Sequence, residues 1–172
     1  MIERIIWTEL VYSAYWEQYI SQYVSHKYDW RKIYNSILLI LSTIGASSFK
    51  IWELIPNGEQ WIPIILLSIM SLVQLLSILQ NSIVDSDDTI KKLIELRIKY
   101  LSYLDKIESL YVGIIANDKI VNDDIKKKFY EIRKEKYHIE DLKDSLNIKK
   151  LKLPNKKAQQ EMETRLARKY KL

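Results

Sequence analysis

The sequence predicts an all-α membrane protein: a two-helix transmembrane hairpin with an N-terminal helix and a cytosolic antiparallel helical hairpin. Two uncharged apolar stretches, Ile33–Phe49 and Gln60–Val84, predict the transmembrane part. At 1.5 Å per residue they span roughly 25 Å and 37 Å, against a hydrocarbon core about 30 Å thick. The chain also holds only three Gly and three Pro, too few for a turn-rich all-β fold.

The first segment, residues 1–32, is predicted to be an aromatic-rich cytosolic helix. Its aromatic side chains recur at spacings of four, three and four, which places them on one helix face: Tyr12, Trp16, Tyr19 and Tyr23. Ile5, Ile20 and Val24 widen this face. Such a helix could lie on a membrane surface or pack on the other cytosolic helices. The small number of Lys and Arg residues on its polar face favours packing.

Residues 33–84 form the predicted hairpin, with spans at about 33–52 and 61–84. Pro56, Asn57 and Gly58 supply the turn between them. A helix of a soluble bundle needs a polar face, and residues 60–84 carry no charge. The positive-inside rule predicts two spans in the bacterial inner membrane with both termini cytoplasmic, because Lys and Arg flank the hairpin and its outer loop holds only Lys50.

Residues 85–147 are predicted to form the cytosolic helical hairpin. Two apolar stripes at helical spacing define its helices: Leu93, Leu96, Tyr100, Leu104, Ile107, Leu110 and Ile114, then Ile125, Phe129, Ile132, Ile139, Leu142 and Leu146. Helices of similar length with a short polar connection pack antiparallel. The preceding Asp85, Asp87 and Asp88 favour the start of the first helix through its dipole, and a divalent-cation site is the less favoured alternative.

Residues 148–172 form a basic tail. Ala158, Met162, Leu166 and Tyr170 fall four apart, which indicates a short basic amphipathic helix. Such a tail could hold anionic lipid, contact nucleic acid or stay solvated. We expect it to be solvated or to face lipid, and we expect no nucleic-acid partner.

The search for catalytic chemistry finds little. The chain has no Cys and two His, His26 and His138, and neither has a metal-ligand partner at helical spacing. No P-loop, nucleophile elbow or dinucleotide fingerprint is present. The sequence therefore predicts a protein that is not an enzyme and has no cofactor or metal site. The absence of ionisable groups from the two apolar stretches also argues against a proton-coupled or ion-coupled transporter.

Neutral polar residues within the second apolar stretch are the candidate site. They share about a third of the helix circumference, at about 100° per residue: Ser71, Gln74, Ser77 and Asn81. This polar stripe could hold membrane helices together through hydrogen bonds, which is the favoured interpretation, or could line a pore between several copies. An amide in mid-bilayer needs a partner or water, so Gln74 is its most informative member.

The predicted elements follow a definite order: an aromatic N-terminal helix, then a two-span hairpin with a short outer loop, then long charged cytosolic helices. This architecture resembles the SLATT family of bacterial two-transmembrane effectors over the chain to about Leu146. The resemblance implies a cell-killing membrane effector of anti-phage defence, controlled by a cyclic oligonucleotide from a linked synthase. It transfers no residue roles, so the nucleotide-binding residues are unknown.

These observations predict a homo-oligomeric effector that disrupts or permeabilises the inner membrane under control of a nucleotide signal. Its expected partners are further copies of the chain, the lipid bilayer and a cyclic nucleotide. One alternative is a non-toxic membrane scaffold that docks a cytosolic partner through its helical hairpin. A holin-like pore former is the other.

Overall fold

The computed structural model describes residues 2–53, 61–116 and 122–170, without the side chains of residues 45–53, 61–63, 81–82 and 122. These ranges contain five α-helices and no strand: α1 Ile2–Glu53, α2 Trp61–Ile83, α3 Asp87–Ala116, α4 Asn122–Ser145 and α5 Lys152–Tyr170. The all-α prediction is therefore confirmed. The expected turn at residues 56–58 lies outside the described residues, as do residues 117–121 of the predicted polar connection in the cytosolic hairpin.

The chain divides into two compact units. Unit 1 comprises residues 1–26 and 87–172, and unit 2 comprises residues 27–86. Helix α1 contributes its first half to unit 1 and its second half to unit 2. The predicted segment boundary at residue 33 therefore falls inside a helix.

The aromatic face of α1 lies in the core of unit 1. Trp16, Tyr19 and Tyr23 are buried, together with Ile20 and Val24. Tyr12 is partly buried against the same core, whereas Ile5 is 42% exposed. The expectation that this helix packs on the charged helices is confirmed, because its aromatic face lies in one apolar core with residues of α3, α4 and α5.

Helices α3 and α4 pack against each other in the predicted antiparallel sense. Tyr100, near the middle of α3, contacts Glu140 late in α4. Further along α3, Lys106 pairs with Glu135, an earlier residue of α4. The predicted stripes supply many of the buried side chains on both helices, including Leu96 and Ile107 on α3 and Phe129 on α4. The periodicity was sufficient here because each stripe faces one core.

The basic tail forms α5, and its apolar face packs on unit 1. Ala158 and Leu166 are buried, and Met162 and Tyr170 are partly buried against the same core. The amphipathic helix is confirmed, but the expectation that the whole tail is solvated or faces lipid is wrong. Asn147, two residues after the end of α4, has φ 45°. Asn adopts this left-handed conformation more readily than most residues, and it suits the end of a helix.

Unit 2 contains the second half of α1 together with α2. The hydroxyl of Tyr34 donates to the backbone carbonyl of Leu76, and Lys27 Nζ lies 2.7 Å from an Asp85 oxygen. Gln80 donates its amide to Asn35 Oδ1 at 3.4 Å. Most of the described apolar side chains of this unit remain exposed.

The transmembrane hairpin predicted from residues 33–84 is corrected by the structure. In the part of the chain that the structure describes, no helix has both the length and the apolar character needed to cross a membrane. The apolar residues from 33 onwards belong to α1, a helix that begins at Ile2 and carries charged residues in its first half. The prediction of two membrane spans is therefore wrong. We withdraw with it the transmembrane and pore-forming descriptions and the inner-membrane localisation with cytoplasmic termini.

Candidate functional site

Carboxylates are buried in the core of unit 1. Glu9 and Glu17 on α1 are 9% and 2% exposed, and Glu108 on α3 is 7% exposed. Glu9, Ser13 and Glu17 follow one another at intervals of four, so they share a helix face. The sequence analysis missed these residues, although their spacing beside the aromatic face was the signal that could have revealed them. Buried carboxylates need partners, and the neighbouring helices supply them.

Glu9 receives contacts from α3 and α4. The Tyr103 hydroxyl donates to Glu9 Oε1 at 3.2 Å, and Lys136 Nζ lies 2.6 Å from the same oxygen. Burial, and then the neighbouring Glu9 charge, raises the pKa of Tyr103 well above its ordinary value, so its hydroxyl stays protonated as a donor. One carboxylate on α1 thereby ties two further helices to it.

Glu17 is held mainly by α3. Arg97 Nε donates to Glu17 Oε1 at 3.0 Å, and Gln18 Nε2 donates to Glu17 Oε2 at 2.8 Å. Arg165 of α5 approaches Oε2 at 3.7 Å. The strong partners of Glu17 therefore come from α1 and α3, and the α5 contact is the loosest of the three.

Glu108 takes its partners from α5. Lys169 Nζ lies 2.7 Å from Glu108 Oε1, and the Tyr170 hydroxyl donates to that oxygen at 3.0 Å. Arg165 Nη2 is 3.9 Å from Glu108 Oε2, so this guanidinium lies between Glu17 and Glu108. Burial, followed by the hydrogen bond to Glu108, raises the pKa of Tyr170 and keeps it a donor.

A second polar cluster centres on Glu140. Tyr12 and Tyr100 both donate to Glu140 Oε1, at 3.1 Å and 2.9 Å, and Lys143 pairs with Oε2. The Lys143 ammonium also lies 4.6 Å from the centre of the Trp16 ring. Burial lowers the pKa of Lys143.

These clusters hold helices of unit 1 together. Within the described residues, every buried side-chain nitrogen and oxygen has a hydrogen-bond partner. The carboxylates are thus occupied by tyrosine, lysine and arginine groups that fix α1, α3, α4 and α5 to one another.

Two concave surfaces in unit 1 could receive a ligand. The first, of about 380 Å³, lies between α3 and α4; its floor includes Leu110, Ile114 and Ile125, and its rim includes Lys106 and Lys128. The second, which we call the α5 groove, has a volume of about 570 Å³ and is lined by Gln160, Glu161, Thr164, Arg165, Arg168 and Lys169.

Unit 2 presents an apolar surface, defined here as the exposed aliphatic and methionine side chains of residues 33–83. Among the residues whose side chains the structure describes, it comprises fourteen side chains, with Ile78 at 77% and Leu39 at 69% exposed. The residues of the predicted polar stripe lie on α2. Ser71, Gln74 and Ser77 are exposed, and the side chain of Asn81 lies outside the described part of the chain. Their role in association or in lining a pore stays a prediction.

The contacts between α1 and α2 within unit 2 use other residues. Tyr34, Asn35 and Gln80 supply the described side-chain hydrogen bonds across this pair. These hydrogen bonds were not predicted from the sequence, because the three residues lie near the ends of the apolar stretches and were not expected to join the two helices.

No family model matches this chain, and neither the curated proteins nor the solved structures contain a significant match. The fold and its sites define a class: an all-α protein in which a helical bundle with buried carboxylates in its apolar core is joined, through one long helix, to a second unit with an apolar surface.

Proposed function

We propose that this chain is a non-enzymatic, self-associating effector, in which unit 2 joins copies of the chain and unit 1 controls the assembly. The observation that carries the proposal is the apolar surface of unit 2. Exposed apolar patches larger than about 300–600 Å² are uncommon on monomers and commonly mark interaction sites.

The size of this surface suits a second copy of the chain. Its fourteen side chains are 38–77% exposed. At about 50 Å² each, half of what full burial of an aliphatic side chain removes from water, they amount to about 700 Å². A standard interface buries about 800 Å² per partner, and homo-oligomer interfaces are the more apolar class. Residues 33–44 and 61–83 hold no Asp, Glu, Lys, Arg or His, so two copies meet there without charge repulsion.

The exposed polar groups of α2 fit the same arrangement. Ser71, Gln74 and Ser77 interrupt the apolar surface with hydroxyl and amide groups. In an apolar contact such groups pair with one another, since an unpaired buried amide costs about 1–3 kcal/mol. They would therefore fix how two copies align.

A nucleotide signal is the controller that the resemblance to SLATT effectors implies. Unit 1 is the part of the chain that would receive it, because the basic residues of α5 and the ligand-sized concave surfaces belong to this unit. Arginine and lysine pair with phosphate groups through charge-assisted hydrogen bonds. Assembly through unit 2 would then be the response.

Assembly is tested by light scattering coupled to size-exclusion chromatography, with matched charge substitutions. The variant Leu67→Glu/Ile78→Glu places two charges on the unit 2 surface, at positions that are 65% and 77% exposed. We expect the wild type to elute as an oligomer and this variant as a monomer. Ile98→Glu, at a site of α3 that is 59% exposed, is the control and should still assemble.

The effector role is tested by expressing the same variants in bacteria. A growth defect with the wild type and with Ile98→Glu, relieved by Leu67→Glu/Ile78→Glu, supports an effector that acts by assembly. A wild-type chain that stays monomeric at micromolar concentration would overturn the proposal. Monomers that bind lipid vesicles instead of one another would equally overturn it.

A further inference from the structure

Two basic side chains of α5 contact buried carboxylates and also line an open groove. Arg165 and Lys169 pair with the buried Glu17 and Glu108, and both also line the open α5 groove. We propose that the α5 groove is a binding site for a multiply charged phosphate anion, which draws Arg165 and Lys169 away from the buried carboxylates. The inference stands on the geometry of unit 1 and does not depend on assembly through unit 2.

The cations of the groove are accessible. The side chains of Arg165 and Lys169 are 32% and 48% exposed, and Arg168, which also lines the groove, is exposed. Arg165 is held at only 3.7 Å and 3.9 Å from its two carboxylate partners. Both distances exceed the about 2.7–2.9 Å of a strong charge-assisted hydrogen bond, so a phosphate oxygen can offer Arg165 a shorter contact.

The buried carboxylates keep other partners when these cations turn towards a ligand. Glu17 retains Arg97 at 3.0 Å and Gln18 at 2.8 Å. Glu108 retains the Tyr170 hydroxyl at 3.0 Å. A buried charge left without any partner is strongly destabilising. Glu17 keeps a charged partner in Arg97, whereas Glu108 keeps a hydrogen bond but loses its ion pair. The contacts of the bound phosphates with Arg165 and Lys169 must therefore offset the loss of the Glu108 ion pair.

The charge and volume of the α5 groove indicate a ligand with several phosphate groups. Arg165, Arg168 and Lys169 supply three positive charges to the lining, which contains one carboxylate, Glu161. Glu17 and Glu108 contact Arg165, and Glu108 contacts Lys169, but neither carboxylate is part of the lining. The Glu161 carboxylate accepts a hydrogen bond from the Gln22 amide at 2.8 Å, which satisfies one of its oxygens. The volume of about 570 Å³ falls within the usual range of small-ligand sites. Planar guanidinium groups match phosphate oxygens, and several phosphates are needed to engage all three cations.

Isothermal titration of the full chain with tripolyphosphate tests the site. Arg168→Ala removes a groove cation that is not among the partners of Glu17 or Glu108, and should weaken binding about tenfold, the lower end for a charged hydrogen bond. Lys157→Ala is the control, because it removes one charge from an exposed position of the same helix outside the groove lining. It should change the affinity less than about twofold, the scale of a distant screened charge.

Absence of saturable binding to the wild type, or equal losses in the two variants, would overturn the proposal. A second measurement guards against misfolding: tripolyphosphate should raise the unfolding temperature of the wild type and of Lys157→Ala more than that of Arg168→Ala. Repeating the titration with ATP asks whether a nucleoside adds to the phosphate affinity. If the wild type assembles but does not bind tripolyphosphate, the phosphate site is rejected and the proposed self-association stands. If a monomeric wild type binds tripolyphosphate, the self-association is rejected and the phosphate site stands.

Discussion

Tyrosine hydroxyls complete the contacts of the buried carboxylates at the scale of single residues. Tyr103 donates to Glu9, Tyr170 to Glu108, and Tyr12 and Tyr100 to Glu140. Burial is the largest cause that raises the pKa of each of these four tyrosines above the ordinary value of 10.0. The folded chain therefore requires the neutral phenol, whereas the unfolded chain ionises near pH 10.

The raised pKa values predict a loss of stability in alkali. Above about pH 10 the unfolded state releases phenolic protons that the folded state retains, so the free energy of unfolding falls as pH rises. Below that pH both states are protonated and the tyrosine contribution is fully present. We expect the midpoint of urea unfolding to decrease between about pH 9 and pH 11, in the window set by the ordinary pKa of tyrosine.

Replacing one buried phenol isolates its share of this effect. Tyr103→Phe removes a phenol that is 1% exposed and should make the alkaline loss smaller than in the wild type. Tyr137→Phe, at a position 71% exposed, is the control and should leave the slope unchanged. Equal slopes in the wild type and Tyr103→Phe would show that this phenol does not contribute.

Helix α3 offers a test at the scale of one element. Gly113 lies inside this helix, and beyond its chain neighbours and the adjacent helix backbone a Cβ added there meets no described heavy atom within 4 Å. Glycine inside a helix costs roughly 0.5–1 kcal/mol relative to alanine. Gly113→Ala should therefore raise the free energy of unfolding by about that amount. Urea denaturation measures the change, and a destabilised variant would mean that the space beside Gly113 is filled.

Sequence periodicity predicted the elements of unit 1 well. The stripes ending at Ile114 and Leu146 were recognised because apolar residues at helical spacing face one core. The carboxylates Glu9, Glu17 and Glu108 were missed because a charged residue on a helix normally indicates solvent. Their partners come from α3, α4 and α5, and a single sequence does not say which distant side chains will meet. The continuity of α1 was missed for a different reason: hydropathy changes at residue 33 but the helix does not end there.

The whole molecule combines two kinds of surface on one chain. Among the described residues, unit 1 satisfies its buried polar groups internally, and unit 2 leaves fourteen aliphatic and methionine side chains exposed. The internal hydrogen bonds of unit 1 give a bundle with defined helix contacts. The apolar surface of unit 2 needs a partner that removes its area from water. Self-association is thus expected to stabilise the whole chain and not only unit 2, because α1 runs through both units.

This coupling predicts that stability depends on protein concentration. When only the folded chain assembles, assembly shifts the unfolding equilibrium by mass action, so the unfolding temperature rises with concentration. We expect such a rise for the wild type over about a hundredfold range of concentration, which corresponds to up to about 2.7 kcal/mol per folded chain. Leu67→Glu/Ile78→Glu should show no rise, and Ile98→Glu should behave like the wild type. A concentration-independent unfolding temperature for the wild type, measured by circular dichroism, would mean that unit 2 does not assemble with other copies in its folded state.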